Sequence, residues 1–281
     1  MEEERIMTIR KRLLPVGWYP SSPSAVRAEL DAMTAGLTRS DALACVCPHA
    51  GWTFSGRIAA MAISALRSDA ETVIIFGGHL GPGARPLLSM EDVFETPVGV
   101  AEADAELRGA LSSAFEFLPD RNADNTVEIQ LPLAVRLFPR ARLLCLRLPA
   151  DMRSAAIGAE LAKFARSLGR RAVAVGSTDL THYGPNYDFM PAGDGPAALE
   201  WTSEVNDKRF IDALLEGDPE IALERANSEL SACSPGAAVG ALAFARENGA
   251  GRARKLGYAT SADVHPSDSF VGYAAIGWFG S

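Results

Sequence analysis

An α/β fold, with a mainly parallel or mixed sheet flanked by helices, is the architecture this chain predicts, and three observations carry that expectation. Short apolar runs alternate with longer stretches of helical period through much of the sequence. Two runs, Val73-Ile74-Ile75-Phe76 and Ala172-Val173-Ala174-Val175, are continuously apolar, as strands covered on both faces must be. Three of the four histidines, His49, His79 and His182, lie just past such runs among small residues. Open α/β sheets bind ligands in that place, beyond the carboxyl ends of their strands.

The elements follow in order. Strands are expected at 44–47, 72–76, 143–148 and 172–175. Between them, 55–67 opens on Ser55 as a candidate N-cap and carries apolar residues at helical spacing. The segments 103–114, 127–138 and 155–168 have the same character, with Gly169 stopping the last. Helices are expected at 197–216, 219–230 and 236–248, then two strands at 254–260 and 271–279. The stretch Met190–Pro196 is the most linker-like, yet it is short and no internal repeat accompanies it. A single domain over residues 1–281 is the expectation.

Composition narrows the function. The chain has 281 residues, 48% of them hydrophobic and 22% charged, which suits a folded protein with a sizeable core. A formal charge of −8 argues against a general nucleic-acid or anionic-membrane binder, which needs basic surface. No run of about 18 uncharged apolar residues suggests a transmembrane helix. The acidic start, Met-Glu-Glu-Glu-Arg-Ile-Met, lacks the features of a secretory signal, so a cytoplasmic protein is expected. Cys45, Cys47, Cys145 and Cys233 match neither a disulfide scaffold nor a zinc ribbon. The first three fall in strand-like runs, where buried free thiols are common.

The remaining polar residues carry the chemical signal. His49, in Pro-His-Ala-Gly-Trp, has an extended entry set by Pro48, and Gly51 permits close backbone approach. His79 repeats the arrangement within a glycine-rich loop that lacks the Lys-Ser/Thr of a P-loop. Asp179 lies three residues before His182, and a carboxylate there can orient the imidazole as a metal ligand or as an acid/base. Cys233 precedes a helix whose first turn accepts Pro235, a setting that favours thiolate. Alone, that cysteine reads as a small residue closing a turn; with two histidines nearby, metal ligation becomes credible. His265 is expected on a surface loop, apart from the other three. Trp18 and Tyr19, in a Pro/Gly-bounded loop, are candidates for a pocket wall.

Taken in order, these pieces resemble the MEMO family, also described in prokaryotes as AmmeMemoRadiSam system protein B. The matching segments are Val16-Gly17-Trp18-Tyr19-Pro20, Pro48 to Gly56, Gly77 to Gly81, Val127 to Pro132, Ser177 to Gly184, Cys233, and Val271 to Ala275. The family is similar in structure to class III extradiol dioxygenases. The resemblance implies His49, His79 and Cys233 as metal-binding positions, with His182 as acid/base and Asp179 beside it. It implies iron, with copper or zinc as alternatives, in a redox or dioxygenase-like enzyme acting on a small molecule. The alternative is a non-catalytic module that receives a peptide on the same scaffold. In the dioxygenases the third ligand is a carboxylate, so Cys233 makes ring cleavage an unsafe transfer. Three departures stand out. Asp124-Asn125-Thr126 replaces the family's Glu-His-Ser, which puts Asn125 where a histidine lines the pocket. Gly78 replaces Asn or Ser, without the usual proline before it, and Ser234 replaces the glycine after the cysteine.

Overall fold

The computed structural model describes residues 7–280; the acidic start of the chain lies outside them except for Met7. Four parallel strands form the centre of a nine-stranded mixed sheet, in the order Ala42–Cys47, Ala172–Ser177, Thr72–Leu80, Arg142–Pro149. Antiparallel additions close both sides. Phe270–Gly280 pairs with Ala42–Cys47 and also with Ala250–Thr260 and His182–Tyr183, while Leu87–Leu88 pairs with Arg142–Pro149. Leu118–Pro119 continues beyond Leu87–Leu88. A separate three-stranded sheet joins Ile9–Arg10, Val93–Thr96 and Gly99–Glu102. The α/β expectation holds, and the sheet is mixed.

Apolar side chains alternate to two cores, one on each face. Cys45, Cys47, Val73, Ile75, Cys145 and Val175 face one core, with Val26, Leu30, Trp52 and Ile63 packed over them. Ala44, Val46, Ile74, Phe76, Leu146 and Ala174 face the other, under Ile157, Leu161, Phe210 and Phe244. Covered on both faces, these strands must be apolar throughout, which is why their runs were legible. Cys45, Cys47 and Cys145 are buried free thiols, as expected. Among the described residues no helix is long and apolar enough to cross a membrane.

Several helix ends differ from expectation for identifiable reasons. The helix after the first strand is Trp52–Ser64, capped by Gly51 rather than Ser55. Its first N–H is satisfied by a distant partner, the Trp18 carbonyl at 2.9 Å. Ser55 lies inside it and donates to the Ala50 carbonyl. The expected 127–138 helix is two, Asn125–Glu128 and Leu131–Leu137, because Pro132 has no N–H to continue the ladder. An additional helix, Pro23–Thr34, is capped by Ser22 and buries Val26, Leu30 and Met33 along one stripe. Met190–Pro196 is no free linker, since the Tyr183 hydroxyl donates to the Gly193 carbonyl and accepts the Ala192 N–H.

The helices Arg153–Ser167 and Pro235–Glu247 cross with backbone almost touching backbone. A Cβ on Gly158 would lie 2.0 Å from the carbonyl oxygen of Gly240. Gly158→Ala is therefore expected to lower stability by about 3 kcal/mol or more, since backbone must move. Thermal unfolding of the variant measures this, and an unchanged midpoint would refute the close crossing.

The expected 197–216 helix runs as Gly195–Trp201 and Asp207–Glu216 around a π-helical turn at Thr202–Asn206. Beyond that turn Asp207 is fully buried. Its carboxylate accepts from the Thr181 N–H and hydroxyl and from the Tyr258 hydroxyl. Burial outweighs those donors and raises Asp207 to about 7. The fold thus holds this proton more tightly than the unfolded chain. Stability it contributes is complete below the ordinary carboxyl range and is lost as pH rises through about 7. Compared with wild type, Asp207→Asn should gain relative stability between pH 5 and 8. Parallel melting curves across that range would contradict the assignment.

Candidate metal centre

The sheet delivers the site by register. Cys47 pairs with Ser177, and Gly176 pairs with both Val46 and Phe76, so the ladders joining these three strands stop side by side. His49 and Asp179 follow two strand ends, and His79 lies three residues past the pairing of Phe76 with Gly176, in the final part of Thr72–Leu80. Cys233 reaches the same spot ahead of the Pro235–Glu247 helix, its N–H donating to the Asp179 carbonyl at 3.2 Å. One ligand atom from each of His49, His79 and Cys233 falls within a 4.8 Å group.

Each donor is held from behind. His49 is buried, with its Nε2 3.2 Å from Cys233 Sγ and its Nδ1 3.3 Å from Ser177 Oγ. Gln130 anchors that serine by donating to its Oγ at 3.1 Å, and also donates to the Pro48 carbonyl. His79 has a left-handed backbone, φ 58°, and its Nδ1 lies 3.2 Å from Asp124 Oδ2. Arg147 donates to the same oxygen at 2.9 Å and grips Asp120 with two further bonds of 3.1 Å. Carboxylates behind imidazoles in this manner fix ring orientation and tautomer at metal sites. With Asp124 behind His79 and the Ser177 hydroxyl behind His49, both rings present Nε2 to the cluster.

The electrostatics favour a thiolate between two imidazoles. Burial alone would raise Cys233, but His49 and His79 hold it well below the ordinary thiol value. Burial alone would lower the two histidines, yet Asp179 and Cys233 raise His49 to about 9, and Asp124 and Cys233 raise His79 to about 10. Burial opposes ionisation of Asp124 too, but bonds from His79 and Thr126 bring it to about 2. Two protons thus occupy a negatively biased point where a cation fits. The lengths agree: nitrogen and sulfur bound to one ion at about 2.0–2.3 Å lie roughly 3–3.6 Å apart, against 3.2 Å here. Two of the three donors, His49 and His79, face a cavity, so one side stays open to ligand.

That cavity has a volume of about 570 Å³. Trp18, His49, His79, Asn125, Asp179 and His182 line it, together with Tyr187, Tyr273 and the loop after Thr260. His265 lies on an exposed loop, as expected, but that loop borders the same cavity, so it is not apart from the other three histidines. Nothing local marked His265; its position depends on the turn between the last two strands. Asp179 serves His49 rather than His182, accepting the His49 N–H at 2.6 Å. His182 instead places Nδ1 3.0 Å from the Leu180 carbonyl. Tyr19 is turned away from the cavity, buried against Trp52, with its hydroxyl donating to Glu128. Glu128 also accepts the N–H groups of Leu13 and Leu14, which fixes the loop that carries Trp18. Asn125 donates to the His49 carbonyl at 2.9 Å.

Comparison with known proteins matches residues 14–277 to the family model described as Memo-like protein. A MEMO1 family protein of Methanococcoides burtonii is 32% identical over 268 residues, covering 92% of this chain and 96% of its own length. Another, from Archaeoglobus fulgidus, is 30% identical and covers 92% and 95% respectively. A third, from Methanosarcina mazei, is 30% identical and covers 96% and 99%.

The electrostatics give a direct test on metal-free protein. Burial raises Cys45, Cys47 and Cys145 far above neutrality, while Cys233 is lowered. Ultraviolet absorbance at pH 7 should show a single thiolate that disappears in Cys233→Ala. A signal unchanged by that substitution would overturn the assignment.

Proposed function

The chain belongs to the Memo-like protein family, and we propose that it is a metal-dependent redox protein acting on a small molecule, with iron as its metal. The convergence of the His49, His79 and Cys233 donors, beside an open cavity that the two histidines line, is the observation that supports this most. In this reading the histidines bind through Nε2 and the cysteine through sulfur. Copper and zinc suit the same nitrogen–sulfur set. Iron is preferred because the family resembles the extradiol dioxygenases, whose two-histidine site takes a carboxylate as third ligand. When bound, the ion supplies Lewis acidity and, as iron or copper, electron transfer.

The chain's own groups do the rest. A carbonyl oxygen only accepts, so Leu180 keeps the proton of neutral His182 on Nδ1 and leaves Nε2 with a lone pair. That is the form of a general base, and in this reading it takes a proton from substrate in the cavity. Asp179 holds the backbone of His49 in place. Asn125 commits its amide N–H to His49 and offers Oδ1 to a ligand. Trp18 and Tyr187 supply apolar wall that binds the body of a small molecule and displaces water.

Anaerobic iron loading tests the reading. Wild type should retain iron, His182→Ala should retain it equally, and Cys233→Ala and His49→Ala should bind at least about tenfold more weakly. Binding must release the protons on His49 and His79, which are raised to about 9 and about 10. Affinity should therefore climb with pH toward that range, by up to about 100-fold per unit if two protons leave together. Wild type that takes up no more iron, copper or zinc than the variants would end this proposal.

A further inference from the structure

One side chain outside the ligand set touches two of the ligands. Ser234 is the N-cap residue of the Pro235–Glu247 helix, yet its hydroxyl makes no capping bond there. Instead Ser234 Oγ accepts the backbone N–H of His79 at 3.1 Å and lies 3.7 Å from Cys233 Sγ. A hydroxyl has one proton and two lone pairs. The His79 amide takes a lone pair, so the proton is available to the sulfur. Thr178 Oγ1, 3.9 Å from the same sulfur, already donates to the Asp179 carbonyl at 2.8 Å. Ser234 is itself anchored, its N–H donating to Thr178 Oγ1 at 3.0 Å.

Ser234 fits only because Gly78 is bare. A Cβ at position 78 would lie 2.3 Å from Ser234 Cβ, 2.5 Å from its Oγ and 2.9 Å from its Cα. Gly78 does not have a positive φ, so space rather than backbone conformation requires the glycine. The next residue, His79, does adopt the left-handed conformation, which disfavours a side chain and has to be enforced by its surroundings. The two departures from the family pattern at Gly78 and Ser234 are thus in contact.

We propose that Ser234 is a positioning residue of the metal site, admitted by Gly78, whose hydroxyl fixes the His79 backbone and donates a hydrogen bond to the Cys233 thiolate. One side chain then sets the presentation of one ligand and the electron donation of another. Hydrogen bonding to a ligand sulfur draws charge from it and shifts the balance between oxidised and reduced metal. This rests on the metal-site reading above.

Cobalt(II) binding to the full chain separates the two. In wild type a sulfur-to-cobalt charge-transfer band is expected, absent in Cys233→Ala. Ser234→Ala keeps the volume but removes the hydroxyl; it should bind cobalt about tenfold more weakly and move the band to longer wavelength. Gly78→Ala should lower both affinity and melting temperature; adding Ser234→Gly should restore much of the melting temperature, because the two closest clashes disappear, and affinity no further than the Ser234→Ala level. A Cys233→Ala protein with the wild-type band sinks the metal reading itself. If that band is lost as expected but Ser234→Ala matches wild type in band and affinity, the Ser234 proposal fails alone. Strict additivity of the Gly78→Ala and Ser234→Gly effects would likewise overturn the fit between them.

Discussion

The pairing of Gly176 with Val46 on one side and Phe76 on the other is the constraint from which the site follows. It stops the ladders between the three strands at one level, with His49 and Asp179 just past two strand ends and His79 in the continuation of the third. Hydrophobicity alone does not fix this register, since both sheet faces are apolar and a one-residue slip would exchange one apolar set for the other. Shape fixes it. A Cβ at Gly176 would lie 2.6 Å from the Ala237 carbonyl oxygen, so only this residue fits beneath the Pro235–Glu247 helix. The same helix carries Ser234 and follows Cys233, which ties the placement of the thiol to the placement of the strands.

Charge is held at this edge by a chain of side-chain partners. Arg10 donates to the Asp120 carbonyl, Arg147 clasps the Asp120 carboxylate, and Asp124 links Arg147 to His79. Buried charges are tolerated when geometry and hydrogen bonds are complete, and removing one partner leaves another stranded. The aligned cations and anions explain why a cavity-facing histidine can be both strained in its backbone and fixed in its ring. Glu128, within the segment that resembles the family, holds the Leu13–Tyr19 loop rather than facing the cavity.

Much of this architecture was legible in the sequence because its cause is local. Strands buried on both faces must be apolar, and the runs at Val73–Phe76 and Ala172–Val175 said so. His49 and His79 could be placed because each follows such a run. What escaped depends on pairs far apart in the chain. Trp18 sets the start of the Trp52–Ser64 helix, and Arg147 meets Asp124 only after folding. His265 belongs to a turn whose direction no local pattern encodes. Cys233 was the intermediate case: its spacing resembled a core thiol, and the family likeness supplied the partners that the structure brings within reach. The sequence marks Asp179 as a carboxylate beside His182, but folding pairs it with His49.

The π turn at Thr202–Asn206 has a consequence that concerns arithmetic more than chemistry. It inserts an extra residue into a helix whose successive side chains otherwise advance by about 100°. Asp207 meets Thr181 and Tyr258 only because of that offset. Deleting one residue from the turn would leave the composition nearly intact, yet rotate the whole Asp207–Glu216 segment by more than a quarter of a revolution. Tolerance here is therefore asymmetric: substitutions that keep the count can be absorbed, whereas a change of length disengages the acid from the loop that leads into His182.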